Sequence, residues 1–380
     1  MLAVLLATLA GCGDGTPQPI SFDPIPSNVV DTSTPDDASP GGTTTTPGAP
    51  TPTVPELAPW VDVTGNLAGL PSECGNMSGI FADGRGDLVV AGVALQGLWT
   101  NGAGGDQWEQ LGQGSDSAEI TNRTASVVFD PAAPGTFWQS GNYGGPGAFR
   151  TVDGGQTFDQ LGEIGHLDGL SVDLSDPERA TMLAGTHERA ELFRSTDGGR
   201  NWTNLEDNLP PNIGFTSQPL VIDSQVHLLG TTQGESAGIF RTTDGGSTWE
   251  QVYDSGVFGL PVVSQLDGSI YWMLERGGGL VRSADGGATW TEATGSGTIA
   301  ETWTFSELPD GRLAAIGDSG VIVSADQGAT WQSLGPPFPD VDPFGLTFSG
   351  AHNAIYVWSW DCGDAVPAGA LQRLDLTPVP

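Results

Sequence analysis

The nine residues Arg282-Ser283-Ala284-Asp285-Gly286-Gly287-Ala288-Thr289-Trp290 decide the fold of this chain. We interpret them as the end of one strand, a tight turn and the start of the next strand. The Asp285 carboxylate can accept hydrogen bonds from backbone N–H groups of the turn, and glycine supplies the positive φ that such a turn needs. Trp290 can bury a large apolar face beneath the hairpin. The stretch therefore predicts a β-hairpin that its own side chains hold in shape.

The same pattern, Ser/Thr-x-Asp-x-Gly-x-x-Trp, recurs along the chain. Matching turns begin at Thr151, Ser195, Thr242 and Ser324, and a degenerate copy lies between Thr100 and Trp108. The turn aspartates are Asp153, Asp197, Asp244, Asp285 and Asp326, and subtracting their numbers gives spacings of 44, 47, 41 and 41 residues. Repeats of this period indicate an array of similar supersecondary units.

The repeat resembles the Asp-box (BNR) repeat of sialidase-like β-propellers, and the resemblance covers the chain from Trp60 onward. It implies an all-β fold, and counting the repeated strands gives a single seven-bladed β-propeller of four-stranded antiparallel blades. The first outer-strand unit, residues 60–63, has no inner strands before it, and the last unit, residues 370–375, has no Trp after it. We therefore expect the N-terminal strand to close the ring as the outer strand of the last blade, which leaves no open sheet edge. The repeat tryptophans are expected in the core.

The N-terminal residues predict export and lipid anchoring. Leu9-Ala10-Gly11-Cys12 resembles the lipobox of a bacterial lipoprotein, although no basic residue precedes the apolar run. The resemblance implies a signal peptide over residues 1–11 and a lipid on Cys12. Residues 12–58 form a Pro/Thr-rich linker with no capacity to bury a core, and residues 59–380 form the propeller. We expect a protein anchored to the bacterial cell envelope, at the outer membrane or the cell surface, that meets the membrane through its lipid only.

Two cysteines remain once Cys12 is assigned to the anchor. Export places Cys74 and Cys362 in an oxidising compartment, where a disulfide can persist. Ring closure makes the first and last blades neighbours and puts both cysteines in loops on the same face. The sequence therefore predicts a Cys74–Cys362 disulfide.

Composition narrows the choice of partners. The formal net charge is −34, from 46 acidic residues against 12 basic ones, and every basic residue is Arg. Such a chain repels nucleic acids and anionic lipid surfaces. None of the four histidines has metal-ligand spacing, and His187 and Glu188 are adjacent, so in an extended loop they point apart. We expect a monomer without a metal or cofactor.

Propeller geometry separates the turns from the loops that can form a site. The turns between the first and second strands and between the third and fourth strands of each blade lie on one face, which we call the turn face. The remaining loops lie on the opposite face, which we call the loop face. Aromatic rings beside carboxylates and Arg suit a sugar or a polar peptide. The candidate ligand residues on the loop face are His187, Glu188, Arg189, Glu275, Arg276, Trp360 and Asp361.

The resemblance also implies a catalytic alternative. Sialidases of this repeat family hold the substrate carboxylate with three arginines and use a Tyr–Glu nucleophile pair. Here Arg123, Arg189 and Arg276 are the candidate arginines, and Tyr143 with Glu188 or Glu275 is the candidate pair. However, the Phe/Tyr-Arg-Ile-Pro motif of that family is absent, and sialidases have six blades. The similar two-propeller xyloglucanases need a longer chain. We therefore expect a cell-surface lipoprotein whose propeller binds a protein or glycan partner without catalysis, the alternative being a secreted glycoside hydrolase of the sialidase or another exo-acting type.

Overall fold

The structure is a computed structural model that describes residues 57–376, apart from residues 85, 278, 294 and 296–298. All described residues belong to the compact unit Pro55–Pro380. The predicted signal peptide, the lipidation site Cys12 and nearly all of the predicted linker lie outside the described residues. Within the described part, no helix is long and apolar enough to cross a membrane.

The described residues form seven antiparallel sheets of four strands each, as the sequence predicts. Blades 1 to 4, each given from the innermost strand outward, are β2 (Met77–Ala82), β3 (Val89–Val93), β4 (Gly97–Thr100) and β5 (Glu109–Gln110); β6 (Arg123–Phe129), β7 (Phe137–Asn142), β8 (Ala148–Thr151) and β9 (Asp159–Gln160); β10 (Leu167–Val172), β11 (Met182–Thr186), β12 (Leu192–Ser195) and β13 (Thr203–Asn204); and β14 (Phe215–Val221), β15 (His227–Thr232), β16 (Ile239–Thr242) and β17 (Glu250–Tyr253).

Blades 5 to 7, in the same order, are β18 (Val257–Val263), β19 (Ile270–Leu274), β20 (Leu280–Ser283) and β21 (Thr291–Glu292); β22 (Ser306–Glu307), β23 (Leu313–Ile316), β24 (Val321–Ser324) and β25 (Gln332–Leu334); and β26 (Gly345–Ser349), β27 (Ala354–Trp358), β28 (Leu371–Asp375) and β1 (Val61–Asp62). Short 3-10 turns cover Gly65–Leu67, Glu206–Asn208 and Glu275–Gly277.

The N-terminal strand closes the ring, which confirms the prediction. β1 pairs antiparallel with β28, with Val61 opposite Arg373 and Asp62 opposite Gln372. Blade 7 therefore takes its outer strand from the start of the domain and its inner strands from the end. Closure of this kind leaves no gap in the ring at which a sheet edge would stand open.

The core consists of layers between neighbouring blades. One layer packs Trp138 of blade 2 against Leu170 and Met182 of blade 3. The next packs Leu183 of blade 3 against Phe240 of blade 4. Since each blade buries apolar side chains on both of its faces, neighbouring innermost strands are held side by side around a central channel.

The five repeated turns share one hydrogen-bond pattern. In blade 2, the backbone N–H of Thr157 donates to Asp153 Oδ1 over 3.0 Å and its hydroxyl donates to Oδ2 over 2.7 Å. The N–H of Gly155, whose φ is 87°, donates to the Thr151 hydroxyl over 2.9 Å. Hydrogen bonds of this kind favour the ionised carboxylate, and they lower the pKa of Asp197, Asp244 and Asp285 to about 2.

The repeat tryptophans are less buried than the sequence predicts. Trp108 and Phe158 are buried, but Trp202, Trp249 and Trp290 are half-buried and cap the edges of the inter-blade layers. Large fully buried aromatic side chains stand on the second strands instead, for example Trp138, Trp272 and Tyr356. The reason is position, because the repeat tryptophans come immediately before the short outermost strands at the rim of the ring.

Contacts within each face of the ring show which turns and loops lie together. On the turn face, Gly154 N donates to Gly135 O over 2.8 Å, so two turns of one blade meet there. On the loop face, a bridge joins Pro71, before blade 1, to Ala365 of blade 7. The Cys74–Cys362 disulfide joins the same two loops, as the sequence predicts.

Candidate functional site

An open cleft of about 510 Å³ lies on the loop face beside blade 7. Its walls come from the loop before β26 and the loop between β27 and β28. Trp360 lines the cleft and leaves 37% of its surface exposed. The carboxyl-bearing residues Glu301, Asp340 and Asp342 line the same cleft. The cleft therefore combines an accessible aromatic ring with several hydrogen-bond acceptors.

Aromatic rings continue from this cleft into the central channel. Phe344 stands with its ring centroid 5.8 Å from that of Trp360 and 6.2 Å from that of Phe258. Phe258 is 5.5 Å from Trp303, whose indole N–H donates to the Ala125 carbonyl over 2.7 Å. Trp303 lies just before blade 6 and Ala125 lies on the innermost strand of blade 2. The Trp303 side chain therefore spans the channel and forms a floor beneath the loop face.

Glu301 connects the cleft to the loop of blade 5. Its Oε2 accepts hydrogen bonds from the backbone N–H groups of Arg276 and Gly277, the second over 3.1 Å. The Glu275 carboxylate lies nearby and pairs with Arg276 Nε at 3.6 Å. Desolvation of the Glu301 carboxyl raises its pKa, and the charge of Glu275 raises it further.

A second polar cluster stands on the opposite side of the channel, between blades 2 and 3. His187 Nδ1 lies 2.8 Å from Asp168 Oδ1 and 3.0 Å from Oδ2. On the other side of the ring, His187 Nε2 lies 3.0 Å from the Tyr143 hydroxyl. The Asn142 amide also donates to Asp168 Oδ1 over 2.7 Å, so the buried carboxylate is held from two sides.

The hydrogen bonds indicate which atoms of this cluster carry protons. An ionised carboxylate only accepts hydrogen bonds, so His187 Nδ1 carries a proton towards Asp168. In the neutral imidazole, Nε2 is then the acceptor, and the Tyr143 hydroxyl donates to it. Asp168, His187 and Tyr143 are thus connected in series by hydrogen bonds. We call these three residues the relay.

Two further side chains surround Tyr143. The His166 ring centroid lies 5.0 Å from that of Tyr143 and 5.2 Å from that of His187. Burial lowers the pKa of His166, and the charge of a protonated His187 lowers it further. The guanidinium carbon of Arg123 lies 5.8 Å from the Tyr143 ring centroid, over the ring.

The expectation that the side chains of His187 and Glu188 point apart is wrong. Its φ is 53°, and this left-handed conformation turns the side chain back, so that Oε1 lies 3.8 Å from His187 Nε2. Positive φ values recur in the corresponding loops of other blades, at Leu95, Tyr143, Gln233 and Arg276. The conformation is therefore a property of the repeated loop and not of this cluster alone.

The seven ligand residues that the sequence predicts fall into three groups. His187, Glu188 and Arg189 stand with the relay, Glu275 and Arg276 stand beside Glu301, and Trp360 and Asp361 follow β27. Glu301 unites the second and third groups, because it contacts the Arg276 loop and also lines the cleft with Trp360. The Asp361 carbonyl accepts a hydrogen bond from Gly75 N over 2.8 Å beside the disulfide.

Two of the three candidate arginines, Arg123 and Arg189, lie beside the relay, and Arg276 lies beside Glu301. Arg189 is paired with Glu191 at 3.7 Å and leaves 57% of its side chain exposed. The side chain of Arg276 is 82% exposed, and Arg123 lies over Tyr143. Tyr143 and Glu188 do converge, but they converge on His187.

Sequence reasoning assigned no role to Asp168, although its surroundings give a usable signal. It is the second residue of β10, and all six residues of this strand are buried. A buried carboxylate needs hydrogen-bond partners, so an acidic residue in such a strand indicates a polar site. The described residues contain no group of three or more His, Cys, Asp or Glu side chains arranged to hold a metal ion.

Comparison with known proteins finds structures with a similar fold but no family to which the sequence belongs. No known family and no curated protein matches the chain by sequence. A GH74 enzyme from Niastella koreensis superposes with a TM-score of 0.59 at 18% identity, over 80% of this chain and 54% of the enzyme. A GH74 xyloglucanase from Xanthomonas campestris gives 0.51 at 17%, over 83% and 55%. An extracellular domain assigned to the hybrid two component system BT3049 of B. thetaiotaomicron gives 0.57 at 13%, over 85% and 42%.

These likenesses show a shared propeller fold. The chain spans about half the length of the two GH74 proteins and less of the sensor protein. Both hydrolase and sensor propellers thus occur among its structural neighbours.

Proposed function

We propose that this protein is an exported, lipid-anchored Asp-box propeller that binds a glycan on its loop face, in the cleft beside Trp360. The observation that carries the proposal is the exposed Trp360 ring standing over a cleft that Glu301, Asp340 and Asp342 also line. An indole ring can stack on the apolar face of a sugar, while carboxylates accept hydrogen bonds from the hydroxyl groups at its edge.

The size and support of the cleft fit this role. Its volume of about 510 Å³ falls within the range of about 300–1,000 Å³ that is usual for small-ligand sites. Phe344 packs edge-on against Trp360 and lies on the innermost side of blade 7, so the exposed ring rests on a rigid aromatic support. A supported ring loses less conformational entropy on binding than a mobile one.

The lipid anchor is part of the same proposal. Cys12 would carry the lipid, and the Pro/Thr-rich segment that follows would connect this anchor to the propeller. A basic peptide is the other class of ligand that the acidic cleft could take.

A glycan array followed by calorimetry tests the proposal. Wild-type protein should bind at least one neutral or acidic glycan, and Trp360→Ala should weaken that binding by about tenfold or more, as loss of a central aromatic contact does. Leu266→Ala is the matched control, because Leu266 is an apolar side chain on the turn face with 60% of its surface exposed. An array without hits, or a hit that Trp360→Ala binds as tightly as wild type, would contradict the proposal.

Glycoside hydrolysis is the second candidate function, because a specific observation favours it. Hydrolysis needs one protonated and one ionised carboxyl group beside the glycosidic bond. Glu301 has a raised pKa, and it shares the cleft with Asp340 and Asp342. If fluorogenic glycosides are cleaved by wild type and not by Glu301→Gln, the cleft is an active site. If wild type releases no sugar, the binding function stands alone.

A further inference from the structure

We propose that the relay is an acid–base site that acts on sugar acids, removing a proton from the carbon next to the carboxylate and eliminating the linked sugar. The inference rests on the proposed function, because it also requires a glycan on the loop face, and it names the class of substrate. It uses a different set of residues from the cleft.

The relay has the geometry that proton transfer requires. A general base must lie within hydrogen-bond reach of the group it deprotonates and must itself be oriented by a third group. His187 Nε2 is 3.0 Å from the Tyr143 hydroxyl, and Asp168 fixes the ring from the other side at 2.8 Å. Glu188, 3.8 Å from Nε2, adds a negative charge that stabilises the imidazolium formed when the proton arrives.

The position of the relay gives it access to the channel mouth. Arg123 begins β6, and Asp168 is the second residue of β10, and both are innermost strands. Trp303 contacts the carbonyl of Ala125, which lies two residues further along β6 and therefore deeper in the channel. Tyr143 and Arg123 therefore stand above the Trp303 floor, at the end of the channel that opens on the loop face.

Arg123 is the residue that would make the site prefer a sugar with a carboxylate group. In the described chain no carboxylate forms an ion pair with its guanidinium, although acidic residues outnumber arginines almost fourfold. Guanidinium groups pair well with carboxylates, and this one lies over the ring of Tyr143. The nearby Arg189 is already paired with Glu191. A sugar carboxylate bound to Arg123 would leave the adjacent carbon close to the Tyr143 oxygen.

The reaction then balances without another reactant. The Tyr143 oxygen takes the proton from the carbon next to the carboxylate as its own proton passes to His187 Nε2. The electron pair of the broken C–H bond forms a carbon–carbon double bond, and the bond from the next carbon to the glycosidic oxygen breaks. That oxygen leaves with its electron pair and takes up the proton that returns from His187 through Tyr143. Arg123 stabilises the charge that builds on the carboxylate.

The experiment uses oligosaccharides of galacturonate, glucuronate and mannuronate with neutral oligosaccharides for comparison. Ultraviolet absorbance detects the double bond conjugated to the carboxylate. Wild type should form this product from at least one acidic substrate. Tyr143→Phe should lower the turnover number by about 100-fold or more while KM stays close to wild type, because only the proton-transferring oxygen is lost. Arg123→Gln should raise KM by about tenfold or more and also lower the turnover number, because Arg123 both binds the carboxylate and stabilises the charge that builds on it.

Tyr253→Phe is the matched control, because Tyr253 also has a hydrogen-bonded hydroxyl, to Glu292 over 2.8 Å, but lies on an outer strand. It should keep full turnover, and circular dichroism should show that every variant folds. Absence of the unsaturated product with wild type, its persistence in Tyr143→Phe, or formation of saturated products only would each overturn the inference. Glycan binding that depends on Trp360 could still hold in each of these cases, so the two proposals fail separately.

Discussion

Replacing His227 by leucine should make the protein less sensitive to mild acid. The variant should lose less unfolding free energy than wild type as the pH falls. His227 begins β15 and is fully buried, and neither ring nitrogen has a hydrogen-bond partner among the described residues. Burial, helped by the positive charge of Arg194, lowers its pKa from 6.5 to about 4. The unfolded chain therefore takes up a proton near pH 6.5, and the folded chain resists it until about pH 4.

The sign and size of the effect follow from these two values. The unfolded state binds more protons between them, so the free energy of unfolding is fully retained above pH 6.5 and falls as the pH drops towards 4. The difference between 6.5 and about 4 corresponds to about 3 kcal/mol in total, of which ~2.5 kcal/mol is lost by pH 4.5.

Urea denaturation at pH 7.5 and pH 4.5 measures the effect, with the disulfide kept oxidised. The loss of unfolding free energy between the two pH values should be ~2.5 kcal/mol smaller in His227→Leu than in wild type. The comparison cancels contributions from carboxyl groups, which are common to both proteins. If wild type and variant lose the same free energy, His227 is protonated without penalty in the folded state and the reasoning is refuted.

Three further predictions concern the disulfide, the packing of a repeat tryptophan and the lipid anchor. Replacing Cys74 and Cys362 together by serine should lower the free energy of unfolding by up to ~5 kcal/mol in urea denaturation, because the bridge joins residues 288 positions apart; an unchanged midpoint would contradict this. Trp290→Ala should cost roughly 3 kcal/mol by the same assay, since Trp290 packs on the core of blade 5, whereas the exposed Trp360→Ala should cost less than about 1 kcal/mol; equal losses would show that burial does not separate them. Cys12→Ser should move the protein from the membrane fraction to the soluble fraction, and retention in the membrane at the wild-type level would contradict lipid anchoring there.

The fold could be predicted because its signals are local and repeated. A turn that begins with Ser283 and Asp285 stabilises itself through contacts a few residues apart, so its sequence is sufficient to recognise it. Ring closure was also predictable, because the outer-strand unit at residues 60–63 lacked inner strands and the unit at residues 370–375 lacked an outer one. The disulfide followed from closure, since it places both cysteine loops on one face.

The sequence predicts on which face of the propeller the candidate site lies, but not which side chains meet there. The contact between Trp303 and Ala125 joins residues 178 positions apart across the channel, and no local pattern encodes it. The relay likewise depends on how blade 3 is rotated against blade 2, which is set by the packing between them. Glu188 shows the limit most directly, because a left-handed residue reverses the direction that an extended loop would give.

Hydrogen–deuterium exchange with and without a bound glycan tests the central claim most directly. The array identifies the glycan, and mass spectrometry locates the protected segments. We expect slower exchange in residues 340–344, 359–360 and 367–370, which line the cleft, and no change in the repeated turns around Asp153, Asp197 and Asp326. Protection confined to those turns, with the cleft unchanged, would place the binding surface on the turn face and contradict the account.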